Sequence, residues 1–440
     1  MKQASLQIGT SYIPRGIAIT KDQIGFLLIV LCLFLLPLER FSFPFSIKVA
    51  DLGLILLIGY GIDRFFREKR RLHIPLAFPA WLILVASLIA TLTGLFSMNS
   101  ILAMVQEVYI FIWFVVLVNL LIALPPSNFD ILIKIWSVVA LLEATTAVMG
   151  MLKIGLPMFY TSPNTGNIIL STGEFNRAYG TFANPNATGA YLSISFFILL
   201  ATSWKKWLRA ILGSYLLVGI LATGSIGAML FTLVAFATLP IAAAIQKNWR
   251  KRLLLGGLIL TAIASIIVLL IIFEALSAIP SLASAKHLSG LLALSIGRLS
   301  HSISARVDII YVTWSAYTSY PFGMGPDTAV LFLKTLHNDY LAMLVERGPL
   351  GLIGWLWVVI TTLLLPLRKI NPNVDPAKRQ QSLTIWAGFL ASALNGLTHE
   401  VSHFRQLWMP MSFLYAAYFI LCEFKKPSFG KTLIEDKILE

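Results

Sequence analysis

Charge is scarce in this chain. Of 440 residues only 12% are Asp, Glu, Lys or Arg, against about 25% in soluble domains. With 58% hydrophobic residues and a mean hydropathy of +0.82, the composition is that of a membrane protein, and it excludes cytosolic enzymes, disordered regulators and ordinary nucleic-acid binders. Cysteine is nearly absent: Cys32 and Cys422 lie in apolar runs near opposite chain ends, so neither a disulfide framework nor a Cys-based metal site is indicated. Among nine Asp there is no Asp-x-Asp pair, the usual pattern for a divalent cation beside a diphosphate. Low-complexity tracts and internal repeats are also missing.

What is present is a succession of apolar runs. A bilayer core takes about 20 apolar residues per helix, and such windows fall at 22–38, 47–62, 74–97, 101–124, 130–152, 187–203, 209–223, 225–245, 253–275, 340–366, 382–399 and 407–424. The expectation is one all-α polytopic domain, 1–440, of about twelve spans. The first two are short and interrupted by Pro37 and Pro44. The first run follows Lys2, Arg15 and Lys21 with no small-x-small cleavage site after it, and reads as an uncleaved anchor.

The net charge of +14 reads as topology. With the N-terminus inside, 23 of the Lys and Arg fall in cytoplasmic tails and loops, 10 at the outer side, and Lys134 within a span. The clusters 64–71, 205–209, 247–252, 368–379 and 425–437 all land on the cytoplasmic side. Two long connections face outward, 153–186 and 276–339. The second has helix-like apolar spacing at Leu288–Leu299 and Arg306–Tyr317, as interfacial helices would. Long loops in compact folds are usually functional or disordered, which directs the search for chemistry to the outer face.

Three polar segments stand there. The run Glu174-Phe-Asn-Arg177-Ala-Tyr-Gly180-Thr-Phe-Ala-Asn184-Pro-Asn186 sets an Arg beside a Gly, Asn and Pro-rich turn. Arg306 opens an apolar stretch that ends at Tyr320-Pro-Phe-Gly-Met-Gly325-Pro326. His337-Asn-Asp-Tyr-Leu-Ala-Met-Leu-Val-Glu346-Arg-Gly-Pro-Leu-Gly351 puts a His at the outer mouth of the tenth span. Taken singly, each has a plain structural reading: an interfacial Arg snorkelling to headgroups, or a satisfied interfacial His. Together they offer two permanently charged guanidinium forks for a diphosphate and an imidazole that takes a proton near neutral pH.

The set formed by Arg177 with Gly180-Thr-Phe-Ala-Asn-Pro-Asn186, Arg306 through Trp314 to Pro321-Phe-Gly-Met-Gly325, and His337-Asn338 with Glu346 and Gly348 resembles the O-antigen ligase and polymerase family, closely over 170–360. The resemblance implies a glycosyltransferase without metal or other cofactor in the bacterial inner membrane, taking a glycan from undecaprenyl pyrophosphate at the periplasmic face. The acceptor would be lipid A core in the ligase branch, favoured here, or a second lipid-linked glycan in the polymerase branch. Under it, His337 is the general base, Arg177 and Arg306 hold the pyrophosphate, and Asn184, Asn186 and Asn338 assist. Many members carry an Arg in a Ser-Arg motif between two central spans, where this chain has Thr223-Gly-Ser-Ile226-Gly.

Two readings of other classes compete. His399-Glu400-Val-Ser-His403 matches H-E-x-x-H, the pattern of a zinc metalloprotease, though no third ligand stands at a recognisable spacing. The same residues with Arg405 could instead line the outer cavity beside His337, or simply form a polar belt ending a span. Glu107, Lys134 and Glu143 lie within spans as in transporters, but without an inverted repeat.

Overall fold

Apolar run length and helix-stop residues set the elements of the computed structural model. It describes residues 20–41, 48–69, 71–159, 168–170, 173–175, 177–182, 184–247, 310–329, 336, 338–367, 375–399 and 405–422. The helices are α1 (Lys21–Leu35), α2 (Val49–Glu68), α3 (Ala77–Thr93), α4 (Met98–Ala123), α5 (Pro126–Met151), α6 (Pro185–Leu200), α7 (Lys206–Thr223), α8 (Ile226–Lys247), α9 (310–319), α10 (Asp339–Leu363), α11 (Pro376–Asn395) and α12 (Arg405–Cys422). Thr20 and Gln23 close a capping box on α1, which ends just before Pro37. Pro126, Pro185 and Pro376 open α5, α6 and α11 at the position where a missing N–H costs nothing.

Helices α4, α5, α7, α8 and α10 are long and apolar enough to cross a membrane. The chain is a multi-pass, helical membrane protein. Eleven of the expected spans coincide with a helix, while 253–275 and all of 276–309 lie outside the described residues. Two boundaries differ. The second helix runs on to Glu68 because its charged end is paired, Arg64 with Asp22 and Glu68, Arg67 with Asp63. The α11 helix starts six residues before the apolar window, where the Asp375 side chain accepts the Ala377 N–H. One departure from an all-helical chain is a small antiparallel hairpin, β1 (Ile168–Leu170) and β2 (Gly173–Phe175), in the connection between α5 and α6.

Helix α6 is buried on every side, packed among α5, α7, α8 and α11. With lipid as apolar as the core, contact depends on close approach rather than on hydrophobic segregation. A Cβ on Gly219 of α7 would come within 2.8 Å of Ala144 of α5, and one on Gly354 of α10 within 2.7 Å of Ile83 of α3.

Helix α10 is broken. Gly348 has φ 67°, ψ −172°, and Pro349 follows, so Pro349 offers no N–H to the Val345 carbonyl. The 321–326 turn fills the gap: Met324 N–H donates to Val345 O at 2.8 Å and Gly325 N–H to Glu346 O at 2.9 Å, while Leu95 N–H donates to Met324 O at 2.8 Å. Gly323 and Gly325 have φ of 103° and 107°, and a Cβ on Gly323 would strike the Glu346 carbonyl at 2.6 Å. The Phe-Gly-Met-Gly motif and Gly348 are thus two halves of one backbone joint.

A buried ion pair ties α2, α4 and α12. Arg405 Nε donates to Asp51 Oδ1 at 2.6 Å and its Nη2 to Oδ2 at 2.7 Å, and Tyr109 donates to Asp51 at 2.6 Å. Removing one partner leaves an uncompensated buried charge, worth about 3–5 kcal/mol. In thermal unfolding of detergent-solubilised protein, Asp51→Leu and Arg405→Met should each lower Tm strongly. The double variant should recover most of the loss, and a double variant worse than both singles would exclude the pair as the source.

Candidate functional site

The turn between the hairpin and α6 is held by α5, by α7 and by Phe159 at once. Ala178 N–H donates to Ala222 O of α7 at 3.1 Å and Tyr179 N–H to Phe159 O at 2.9 Å. Gly180 takes φ 57°, and a Cβ there would collide with the Glu143 carboxylate of α5. That carboxylate, 2% exposed, accepts the Thr181 N–H at 3.0 Å, and its other oxygen lies 2.6 Å from the Thr181 hydroxyl. The only residue without a Cβ therefore stands where an acid from another span grips the turn.

This anchoring sets the aim of Arg177. Its Nε donates to Thr223 O at 3.0 Å and its Nη2 to Asn186 Oδ1 at 2.6 Å. Thr223 is the last residue of α7, where carbonyls carry partial negative charge, so the guanidinium sits at the favourable end of that helix. Asn184 caps α6 by accepting the Asn186 N–H at 2.8 Å. Arg177, Asn184 and Asn186, expected together from sequence, form one hydrogen-bonded unit.

Asn338 stands on a neighbouring element. Its side chain caps α10 by accepting Leu341 N–H at 3.0 Å and donates to Leu397 O at 3.1 Å, just past the end of α11. Asp339 N–H donates to Gly396 O at 2.8 Å. The first turn of α8 bridges the two groups. Ser225 would touch a Cβ on Gly189 of α6 at 2.9 Å, and a Cβ on Gly227 would lie 2.5 Å from Thr398 Oγ1 beyond α11. The N-termini of α6, α8 and α10 are thereby gathered at one end of the bundle, beside Arg177. Helix N-termini favour anions, so this mouth suits a phosphate-bearing group.

Ile226 opens α8 two residues after Gly224, which ends α7 at φ 59°. It lies three residues from Thr223, whose carbonyl holds Arg177. Arg306 and His337 lie outside the described residues.

The competing motif divides the same way: Glu400 and His403 lie outside the described residues. His399 is buried, its N–H donating to Asn395 O at 2.9 Å. Among the described residues no group of three or more His, Cys, Asp and Glu gathers as for a metal ion. Arg405 is engaged with Asp51 and Tyr109. Lys134 pairs with Asp130 one turn away at 2.7 Å.

Two clusters escaped sequence reasoning. One is the grip of Glu143 on Thr181. The other joins Arg347 to Glu107 and Glu346: Nε to Glu107 Oε1 at 2.6 Å, Nη2 to the same carboxylate, and Nη1 to Glu346 Oε2 at 2.8 Å. Acids of one span facing a cation of another were the available signal, but sequence cannot say which partners meet.

The architecture defines a multi-pass helical membrane protein in which the connection between α5 and α6 and three helix N-termini meet at one end of the bundle. Residues 211–356 match the family model described as O-antigen ligase, a stretch that runs from α7 through most of α10 and contains Ile226, Arg306, His337, Asn338, Glu346 and Gly348. The motif resemblance is borne out over that stretch, while Arg177, Asn184 and Asn186 precede it. No curated protein matches the chain.

Glu143→Gln keeps an acceptor for Thr181 N–H, whereas Glu143→Leu leaves that part-buried donor without it, at about 1 kcal/mol. Thermal unfolding should rank wild type and Gln above Leu. Equal Tm for Gln and Leu would exclude the hydrogen bonds as the anchor.

Proposed function

We propose that the chain is an inverting, metal-independent glycosyltransferase of about twelve spans in the bacterial inner membrane, both termini cytoplasmic, moving a glycan from undecaprenyl pyrophosphate to lipid A core at the periplasmic face. The observation that carries this reading is the Arg177 guanidinium, held by Thr223 O and Asn186 where the N-termini of α6, α8 and α10 converge, next to a stretch matching O-antigen ligase.

A departing pyrophosphate develops charge that fixed cations or a metal must offset. In the proposed reaction His337 takes the proton of the acceptor hydroxyl. That oxygen attacks the anomeric carbon from the side opposite the leaving group, and the bond to undecaprenyl pyrophosphate breaks with its charge received by Arg177 and Arg306. Asn184 and Asn186 hold the Arg177 turn, and Asn338 starts the helix behind His337. The polyprenyl tail stays in lipid throughout, which requires a mouth open sideways between apolar spans.

The test is transfer in vitro, without added metal, from a polyprenyl-linked glycan to lipid A core or to a second copy of the donor. Product on lipid A core supports the ligase reading, and product only on the second donor makes the protein a polymerase. His337→Ala should abolish transfer with expression intact. Arg177→Lys and Arg306→Lys keep the charge but lose the bidentate fork and should reduce kcat at least tenfold. Wild-type turnover in both Lys variants would remove the pyrophosphate role.

A further inference from the structure

Helix α1 runs from one end of the bundle to the other. Past its C-terminus the Pro37 carbonyl accepts the Thr181 hydroxyl of the Arg177 turn at 2.7 Å, while in its first turn Asp22 pairs with Arg64 near the end of α2. The end of α2 is therefore remote from the mouth. Here a groove of about 340 Å³ is lined by Phe65 and Phe66 of α2, by Leu72 and Ile74 of the segment before α3, and by Phe111 and Val115 of α4. Every side chain that lines it is apolar. Phe66, 80% exposed, leaves it open sideways.

The groove is built by the chain on three sides. Gly61 lets α2 cross α4 in contact, since a Cβ there would strike Val116. Past that crossing α2 turns at Lys69, φ 46°, and the chain enters α3 through Leu76, φ 61°. Left-handed backbone at residues with a Cβ persists only where the surroundings over-determine it. What fixes the segment is Asn119 of α4, whose Oδ1 accepts His73 N–H at 2.8 Å and whose Nδ2 donates to His73 O at 2.7 Å. The segment is thus held on α4 as a third wall. From Asn119 to Phe111 the helical rise is about 12 Å, close to the depth of one leaflet's hydrocarbon, about 15 Å.

Charge stands at the polar end of this groove. Arg64 and Arg67 are neutralised by Asp22, Glu68 and Asp63. Lys69 and Arg71 are exposed and enter no ion pair among the described residues. Lys69 follows Phe66 by one turn and Arg71 directly precedes Leu72, so two unpaired cations flank the wall residues. Long cationic side chains lay their stems on apolar surface and carry the charge to headgroup level. A peptide would leave its own backbone groups unsatisfied in so apolar a groove. A hydrocarbon chain has none to satisfy.

We infer that the groove holds an acyl chain of an anionic glycerophospholipid, with the lipid phosphate at Lys69 and Arg71. Basic clusters immediately beside a spanning helix recognise anionic headgroups in this way. The site lies at the opposite end of the bundle from Arg177 and is independent of the transferase reading. Its lipid joins α2 to α4 where the two helices diverge beyond Gly61.

The test uses the full chain, delipidated in detergent and titrated with phosphatidylglycerol or with phosphatidylcholine of identical acyl chains, with bound lipid counted by native mass spectrometry. Each unpaired cation near an anionic headgroup contributes about fivefold, so wild type should bind one phosphatidylglycerol about 25-fold more tightly than phosphatidylcholine. The double variant Lys69→Gln, Arg71→Gln changes exposed side chains only and should lose that preference while keeping the weaker, headgroup-blind binding. Ile112→Trp, on the groove's half-open wall, fills the space and should lose both lipids. Equal affinities in wild type, a preference that survives the double variant, or a folded Ile112→Trp that still retains phosphatidylglycerol would each overturn the inference. Should Ile112→Trp fail to fold, the double variant decides alone.

Discussion

The break in α10 is the constraint on which the packing of the 321–326 turn and its neighbours depends. In hydrocarbon a backbone carbonyl without a partner costs several kcal/mol, and Gly348-Pro349 leaves Val345 O without its helical donor. The fold meets this cost by bringing in the backbone of another segment, Met324 and Gly325, whose glycines permit an approach that any Cβ would block. A loop is thereby attached to a span by main-chain hydrogen bonds. The same joint turns Glu346 and Arg347 to meet Glu107 of α4.

A second device works at the other flank. Glu143 of α5 and the carbonyl end of α7 grip the 177–186 turn from two sides, and the turn holds Arg177 by its own Asn186. Rigid positioning of a charged fork matters more in a membrane mouth than in water, because the low dielectric strengthens each interaction and leaves little solvent to repair a misplaced one. The two flanks differ in means: main-chain hydrogen bonds hold the loop at the α10 break, and an acid inside a span holds the 177–186 turn.

Much of this was legible in advance. Eleven helices fall where apolar windows of about 20 residues stand, since span length is set by bilayer thickness and backbone satisfaction within a single helix. The caps Asn184, Asn338 and Asp375 act within three residues of themselves, a local signal that the apolar windows did not include, so α11 begins six residues before its expected start. Arg177, Asn184 and Asn186 meet because they are neighbours along the chain. The intramembrane acids Glu107 and Glu143 were visible as unusual, yet their sequence surroundings suggest transport; the structure shows one paired to Arg347 and the other anchoring Thr181.

What the amino-acid order determined by itself is therefore the helical membrane class, most span positions, and the likeness of residues 211–356 to the O-antigen ligase family model. Each depends on run length, capping chemistry or short spacing. Only the tertiary structure decided which charges pair: Asp51 with Arg405 across 354 residues, Glu107 with Arg347 across 240. The reason is that a buried carboxylate will accept any cation brought within reach. Which one arrives depends on helix packing, and no local pattern encodes it.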